Sequence, residues 1–319
     1  MADDRLMFRV LEMYYMQEQS QADIAKKMNV SRATISRIIS KAKQNGYVTI
    51  SIHHPDNTEH LIEEQLEEKY SLKEVIVAPS DIGDNVSDMV NYEVVQYLLR
   101  VIKNKMTLGI TWGLTIGELV AYMKANSSML QNFNQKDVTV LPVLGTAISR
   151  EMDTRLQGNH ASLYAMELAE LFKGSAYQFP VPMYVSSPEI RKILLEDSMI
   201  SHVFECMKHV DVALIPFGRL SEQSSIVKYG CMDEAEMKRL NDLGGCGEIL
   251  GNFYTEEGTF LESELARRMI GIAREDLLRI PLRVGISYGE ERIPAVKGAL
   301  KNGLVNVLII DHASAQALL

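Results

Sequence analysis

Two groups of residues in this sequence have types and spacings that suit recognition of a ligand, and neither is a set for covalent catalysis. The first is Ser31-Arg32-Ala33-Thr34-Ile35-Ser36-Arg37 with Lys41. At helical spacing Ile35, Ile38, Ile39 and Ala42 fall on one side, leaving Arg32, Ala33, Ser36, Arg37 and Lys41 on the other. Arg32 and Arg37 suit bidentate pairing with guanine or a phosphate contact. Ser31, Thr34 and Ser36 suit either partner, and Ala33 a thymine methyl. Gln21 is a candidate phosphate contact. Between Ile24 and Tyr47 every charged residue is basic (Lys26, Lys27, Arg32, Arg37, Lys41, Lys43), although the chain carries a net charge of -9. A local basic face on an acidic body suits a double-stranded DNA reader that does not drag the rest of the chain onto phosphate. A three-helix protein-interaction module would account for the charge, but less well for caps, turn and helix lengths together.

The second group is a set of glycine-rich turns. In Gly109-Ile110-Thr111-Trp112-Gly113-Leu114-Thr115-Ile116-Gly117-Glu118 a strand, a glycine turn and a helix start follow in order. That order can aim backbone N–H groups and the Thr111 and Thr115 hydroxyls at an anion or polyol. Thr115 and Glu118 equally match a capping box, so both readings stand, and the spacing is neither a dinucleotide fingerprint nor a Walker A loop. Leu144-Gly145-Thr146 and Phe217-Gly218-Arg219 put small residues at two further strand ends. Gly244-Gly245-Cys246-Gly247-Glu248 reads as a flexible loop with one carboxylate, and Gly289-Glu290-Glu291-Arg292 as a strand-to-helix junction. Glu248 and Arg292 are the strongest polar candidates, although solvent-exposed helix capping explains the charged junction as readily.

Enzyme signatures are missing: there is no nucleophile elbow, no His and Glu pair at zinc spacing and no carboxylate pair placed for acid-base work. Cys206, Cys231 and Cys246 lack the spacing of a metal knuckle or redox pair and are expected as buried free thiols. His53, His54 and His60 are expected at the surface, so no metal and no cofactor is implied.

The elements that must position these residues follow from periodicity. Leu6, Val10 and Tyr14, with Met7 and Leu11, make one face of a helix over Asp3–Gln17. Ser20 caps a short second helix that Asn29 ends in the left-handed conformation, and Ser31 caps a third running to about Gln44. This is a helix-turn-helix, with a short strand over Val48–Ile52 but no full wing. Leu61, Ile62, Leu66 and Tyr70 stripe an acidic connecting helix that could pair with another copy or pack on its own domain. Beyond it, strands are expected at Glu74–Ala78, Thr107–Thr111, Val138–Val143, Val212–Phe217, Leu282–Ser287 and Val305–Ile310, alternating with helices. The fold class is therefore α/β: an all-α helix-turn-helix domain (1–54), a connecting helix (55–71) and a mostly parallel-sheet domain (72–319) whose ligand sits at the strand carboxyl ends. No apolar run approaches the ~20 residues of a membrane span, and the acidic start, Met1-Ala2-Asp3-Asp4, is no secretory signal, so a cytoplasmic location is expected.

Gln21-Ala22-Asp23-Ile24-Ala25 with the Ser31–Arg37 run, Gly109-Ile110-Thr111-Trp112-Gly113, Gly245-Cys246-Gly247-Glu248-Ile249, and Gly298-Ala299-Leu300 with Asn306-Val307-Leu308-Ile309-Ile310-Asp311 together resemble the SorC family of sugar-responsive bacterial transcriptional regulators. The first motif is common to many repressors; the combination in this order is specific and spans the chain. The resemblance implies an effector domain similar to the sugar-phosphate isomerase and deaminase fold, without catalysis. It would bind a sugar, polyol or sugar phosphate, within a homodimer or homotetramer on operator DNA. It also implies effector contacts at Thr111, Gly113, Thr115, Gly145, Glu248 and Arg292, to which the strand-end reading adds Thr146. Members that bind phosphorylated sugars can carry an arginine or lysine where this chain has Leu144, which excludes a phosphate clamp or Schiff base there. Where relatives often have Gly-Gly-x-x-Lys, this chain has Tyr288-Gly289-Glu290-Glu291-Arg292, so a neutral sugar or polyol is expected no less than a phosphate ester. The rival is a sugar-phosphate isomerase or aldolase fused to a DNA-binding head.

Overall fold

The computed structural model describes residues 2–44, 47–48, 58–79, 85–131, 133–135, 137–146, 160–222 and 224–319, in two units, Met1–Asn57 and Thr58–Leu319. In the first unit, α1 (Ala2–Leu11) runs into a π-helical turn at Glu12–Met16. That wider turn, not expected from the periodicity, buries Met13 in place of the expected Tyr14, which packs from the side. Side-chain caps then start α2 (Gln21–Met28) and α3 (Arg32–Gln44): the Ser20 hydroxyl accepts the Asp23 N–H at 3.2 Å, and the Ser31 hydroxyl accepts the Thr34 N–H at 3.1 Å. Asn29, with φ 54 and ψ 43, ends α2 in the left-handed region. Val10, Ile24, Ile35 and Ala42 are fully buried and hold the three helices together. The expected strand lies outside the described residues from Thr49 to Ile52, as do His53 and His54.

The second unit begins with α4 (Thr58–Tyr70), β1 (Glu74–Ala78), α5 (Val86–Val101), β2 (Thr107–Ile110), α6 (Leu114–Ala125), β3 (Thr139–Pro142), α7 (Ala161–Leu171) and β4 (Ser175–Ala176). It continues through α8 (Pro188–Glu196), α9 (Ser198–Met207), β5 (Val212–Pro216), β6 (Gly218–Arg219), α10 (Ser225–Lys228), α11 (Glu234–Asp242), β7 (Gly245–Ile249), β8 (Asn252–Thr255) and β9 (Phe260–Leu261). It closes with α12 (Glu264–Arg267), α13 (Arg274–Leu277), β10 (Leu282–Ser287), α14 (Ile293–Lys301), β11 (Val307–Asp311) and α15 (His312–Leu318). Seven strands form one sheet in the order β1-β11-β10-β5-β2-β3-β4, every pair parallel. Alternate residues explain its two covered faces: Val284, Ile286, Val307 and Ile309 pack with α5, α6 and α7, whereas Leu308 and Ile310 pack with α4, α14 and α15.

The order turns back on itself between β2 and β5. From β2 the chain moves outward to β3 and β4; from β5 it proceeds the other way, to β10 and β11. Crossovers leaving on opposite sides open a crevice at the carboxyl ends of these two neighbours.

Two expectations change. The connecting helix expected at 55–71 is, from Thr58, part of the second unit: Ile62 and Leu66 are buried in its core and Tyr70 packs against it, whereas Leu61 is exposed. The loop expected at 244–248 is strand β7, inside an antiparallel sheet ordered β6-β7-β8-β9. Its glycines serve close packing rather than flexibility. A Cβ at Gly247 would meet the Tyr254 ring at 2.6 Å and Ala295 at 2.8 Å, and one at Gly298 would meet Tyr254 at 2.7 Å, which lets α14 lie against β7 and β8. Gly298→Ala should therefore cost about 1–3 kcal/mol by overpacking, read as a fall in Tm of the second unit alone. The cysteines are free, but half-buried rather than buried.

Candidate functional site

The crevice between β2 and β5 holds a cavity of about 150 Å³. Thr111, Gly113 and Thr115 bring one wall from the β2–α6 turn, Phe217, Gly218 and Arg219 a second, Ser224 and Ser225 a third, and Glu248 and Arg292 close it. Gly113 sits at φ 109 with nothing within 4 Å of where a Cβ would be, the conformation only glycine takes freely. It caps α6 without a side-chain hydrogen bond, so no cap side chain occupies the first-turn N–H groups. Thr115 lies inside α6 and is buried, not at its cap; the capping-box reading of Thr115 and Glu118 does not hold. Glu118 instead accepts the Tyr288 hydroxyl.

Glu248 is the notable charge. Its β7–β8 hairpin turns through Leu250 and Gly251 at φ 51 and 75, and the Gly251 N–H donates to Oε1. Oε2 lies 2.9 Å from where a Gly218 Cβ would be, so only glycine at 218 leaves this carboxylate its place. Burial pushes Glu248 up to about 7, the Gly251 N–H opposing the shift. Arg292 lies with its guanidinium carbon 4.6 Å from the Tyr288 ring centroid. Arg292 Nη1 and Ser224 Oγ are shielded from solvent with no partner among the described residues, donors that a bound molecule would satisfy.

Of the seven effector residues expected, the cavity gathers Thr111, Gly113, Thr115, Glu248 and Arg292; Gly145 and Thr146 are not among its lining residues. Their backbone is used in a wall: Gly145 N–H donates to Ile270 O at 2.8 Å, Thr146 N–H to Val181 O at 2.7 Å, and a Gly145 Cβ would meet the Val181 and Pro182 carbonyls. Ser224 and Ser225 were not anticipated; a serine-rich run just after a strand end was the one available signal.

On α3 and its cap, Ser31, Arg32, Ala33, Ser36, Arg37 and Lys41 are exposed. Thr34 is half-buried and exchanges a 2.8 Å hydrogen bond with the Ser31 hydroxyl, and Gln21 is half-buried at the first position of α2. Among the described residues no group of three His, Cys, Asp or Glu could hold a metal, and no helix is long and apolar enough to cross a membrane.

The family model described as "Putative sugar-binding domain" matches residues 55–319, and that of sigma-70 region 4, a helix-turn-helix region, matches residues 8–45. The sorbitol operon regulator of Klebsiella pneumoniae is 25% identical over 99% of this chain and 98% of its own. The full-length crystal structure of that regulator superposes with a TM-score of 0.72, again at 99% and 98% coverage. This chain belongs to the SorC family of transcriptional regulators. Other relatives of this SorC-family chain are the deoxyribonucleoside regulator of Bacillus subtilis, 27% identical over 98% of this chain and 97% of its own. The erythritol catabolism regulatory protein of Brucella abortus is 28% identical over 100% and 97%. This SorC-family protein is a transcriptional regulator, with a helix-turn-helix region followed along the chain by a sugar-binding domain.

Proposed function

We propose that the cavity between β2 and β5 is the effector site and that its ligand is an uncharged polyhydroxy compound rather than a phosphate ester. The observation that carries this reading is Glu248, a carboxylate in the cavity wall with no cation at ion-pair distance among the described residues. Such a group accepts hydrogen bonds from hydroxyls and repels phosphate. Two further features support it. Leu144 is 1% exposed and packs against Gly271, so it offers a phosphate nothing. Glu291 adds a second carboxylate to the turn that carries Arg292, its Oε2 folding back to within 2.5 Å of the Gly289 Cβ position. The regulators named for sorbitol and erythritol suggest the same ligand class for this chain.

In this reading Thr111, Thr115, Ser224 and Arg292 exchange hydrogen bonds with the remaining hydroxyls, Gly113 keeps the floor open, and no covalent chemistry occurs. The effector biases one of two arrangements of a homodimer or homotetramer, and operator affinity follows by linkage. Gln21, Arg32, Ala33, Ser36, Arg37 and Lys41 meet the operator, with Ser31 and Thr34 at the helix start. A thermal-shift panel of erythritol, xylitol, sorbitol and their phosphates tests the ligand class. A polyol at 100-fold its Kd adds about 2.7 kcal/mol, roughly 5–10 °C for a unit of this size. Thr115→Val should abolish most of that shift. Stabilisation by the phosphates alone overturns the proposal, and turnover of any compound in the same panel revives the enzyme reading.

A further inference from the structure

The cavity is joined to α4, the helix that directly follows the first unit in the chain, by a short series of hydrogen bonds and one peptide link. Arg292 ends the 3₁₀ turn Glu290–Arg292, whose N–H returns to Gly289 O at 3.1 Å. The Gly289 N–H donates to Asp311 Oδ2 at 3.0 Å, and the other oxygen of that buried carboxylate accepts the Ser314 N–H at 3.0 Å. One carboxylate thus ties the Arg292 turn to the start of α15. The next residue, His312, places Nδ1 3.1 Å from Glu59 Oε1 in the first turn of α4, both side chains being less than a fifth exposed.

The rest of α4 is held fast. Lys69 Nζ and Tyr70 Oη donate to Leu318 O at 3.0 and 3.3 Å, so α15 runs parallel to α4 along its length. Glu63 and Glu67 accept the Val77 and Val75 N–H groups, each at 2.8 Å, along the outer edge of β1. These bonds satisfy a strand edge that would otherwise offer its amides to another chain, and they make α4 move as one with the sheet.

We propose that Asp311, His312 and Glu59 are positioning residues through which occupancy of the cavity is transmitted to α4; the proposal rests on the cavity being the effector site. Arg292 has an unpartnered donor at the cavity, so a ligand orders it, and a 3₁₀ turn has the weak hydrogen-bond geometry that allows rearrangement. The Asp311 carboxylate cannot follow Gly289 without disturbing the cap of α15, and His312 carries that disturbance to Glu59.

The test is a double-mutant cycle on the full chain, read by hydrogen exchange at the amides of residues 62–65, the first that bond within α4, without any ligand. Arg292→Ala should speed their exchange at least about threefold, His312→Ala should do the same, and the double variant should exceed neither. Unchanged exchange in Arg292→Ala, or a double effect equal to the product of the single ones, overturns the proposal. Glu59→Gln serves as the second variant if His312→Ala does not fold. Sorbitol and erythritol then separate the two readings. Where either raises Tm, His312→Ala should keep that rise yet lose the change in affinity for the promoter fragment. If neither raises Tm, the ligand assignment fails and the exchange cycle still decides the connection.

Discussion

Replacing Ile35 by alanine should abolish operator binding while leaving the second unit folded. Ile35 is fully buried with Val10, Ile24 and Ala42, on the face of α3 opposite Arg32 and Arg37. Removing its outer carbons costs about 2–5 kcal/mol, because the transfer free energy is lost and a cavity remains. A unit of fewer than sixty residues has only about 3–5 kcal/mol to lose. Calorimetry should lose the transition of the first unit and keep that of the second, and affinity for the promoter fragment should fall more than about a hundredfold. Arg37→Ala is the informative contrast. Arg37 is exposed, so stability should hold while affinity drops by about 1–3 kcal/mol. Retained binding in Ile35→Ala would falsify the assignment of α3 as the DNA-contacting element.

Glu248→Gln should remove the pH dependence that this one half-buried carboxyl imposes. Its folded value is about 7, above the usual carboxylate range, so the folded state holds a proton that the unfolded chain releases. The stability it contributes is complete below about 4.5 and is lost as pH rises through about 7. Glutamine carries no charge to bury, so the variant should be the more stable at pH 8, by on the order of 2 kcal/mol, with the two Tm curves converging toward pH 5. Effector binding gives the second half. A hydroxyl donating to Glu248 favours its charged form, so polyol affinity should climb with pH up to about 7 and binding should release a proton. Titration calorimetry in two buffers of different ionisation enthalpy measures that proton. A variant with the wild-type pH slope would mean that some other group carries it.

These two experiments probe residues that were legible to different degrees. Ile35 and the Arg32–Arg37 face follow from helical period, and the caps at Ser20 and Ser31 lie where short-range hydrogen bonding puts them, three residues from the N–H groups they satisfy. Glu248 was readable as a candidate but not as a strand residue. Glycines at 244, 245 and 247 suggest a loop to any local rule, and the use of Gly245 and Gly247 as contacts beneath Leu220 and Tyr254 depends on elements elsewhere in the chain. Gly145 shows the converse: a strand-end glycine that looks like a ligand approach and is spent on Val181 and Pro182.

What the amino-acid order determined by itself is therefore the set of elements and the basic face: six of the seven strands of the parallel sheet, the helix-turn-helix and the covering helices, all of which arise from periodicities within a dozen residues. The missing strand, β4, has two residues, too few for any period to register. What only the tertiary structure decided is which strand ends meet. β2 and β5 are a hundred residues apart, and their adjacency follows from the return of the sheet order, which gathers Thr111, Thr115, Glu248 and Arg292 and leaves out Gly145 and Thr146. The destination of α4 was likewise undecided until the edge of β1 supplied the amides that its glutamates accept. Non-local pairings of this kind leave no trace in local spacing, because the partner that satisfies each group lies far along the chain.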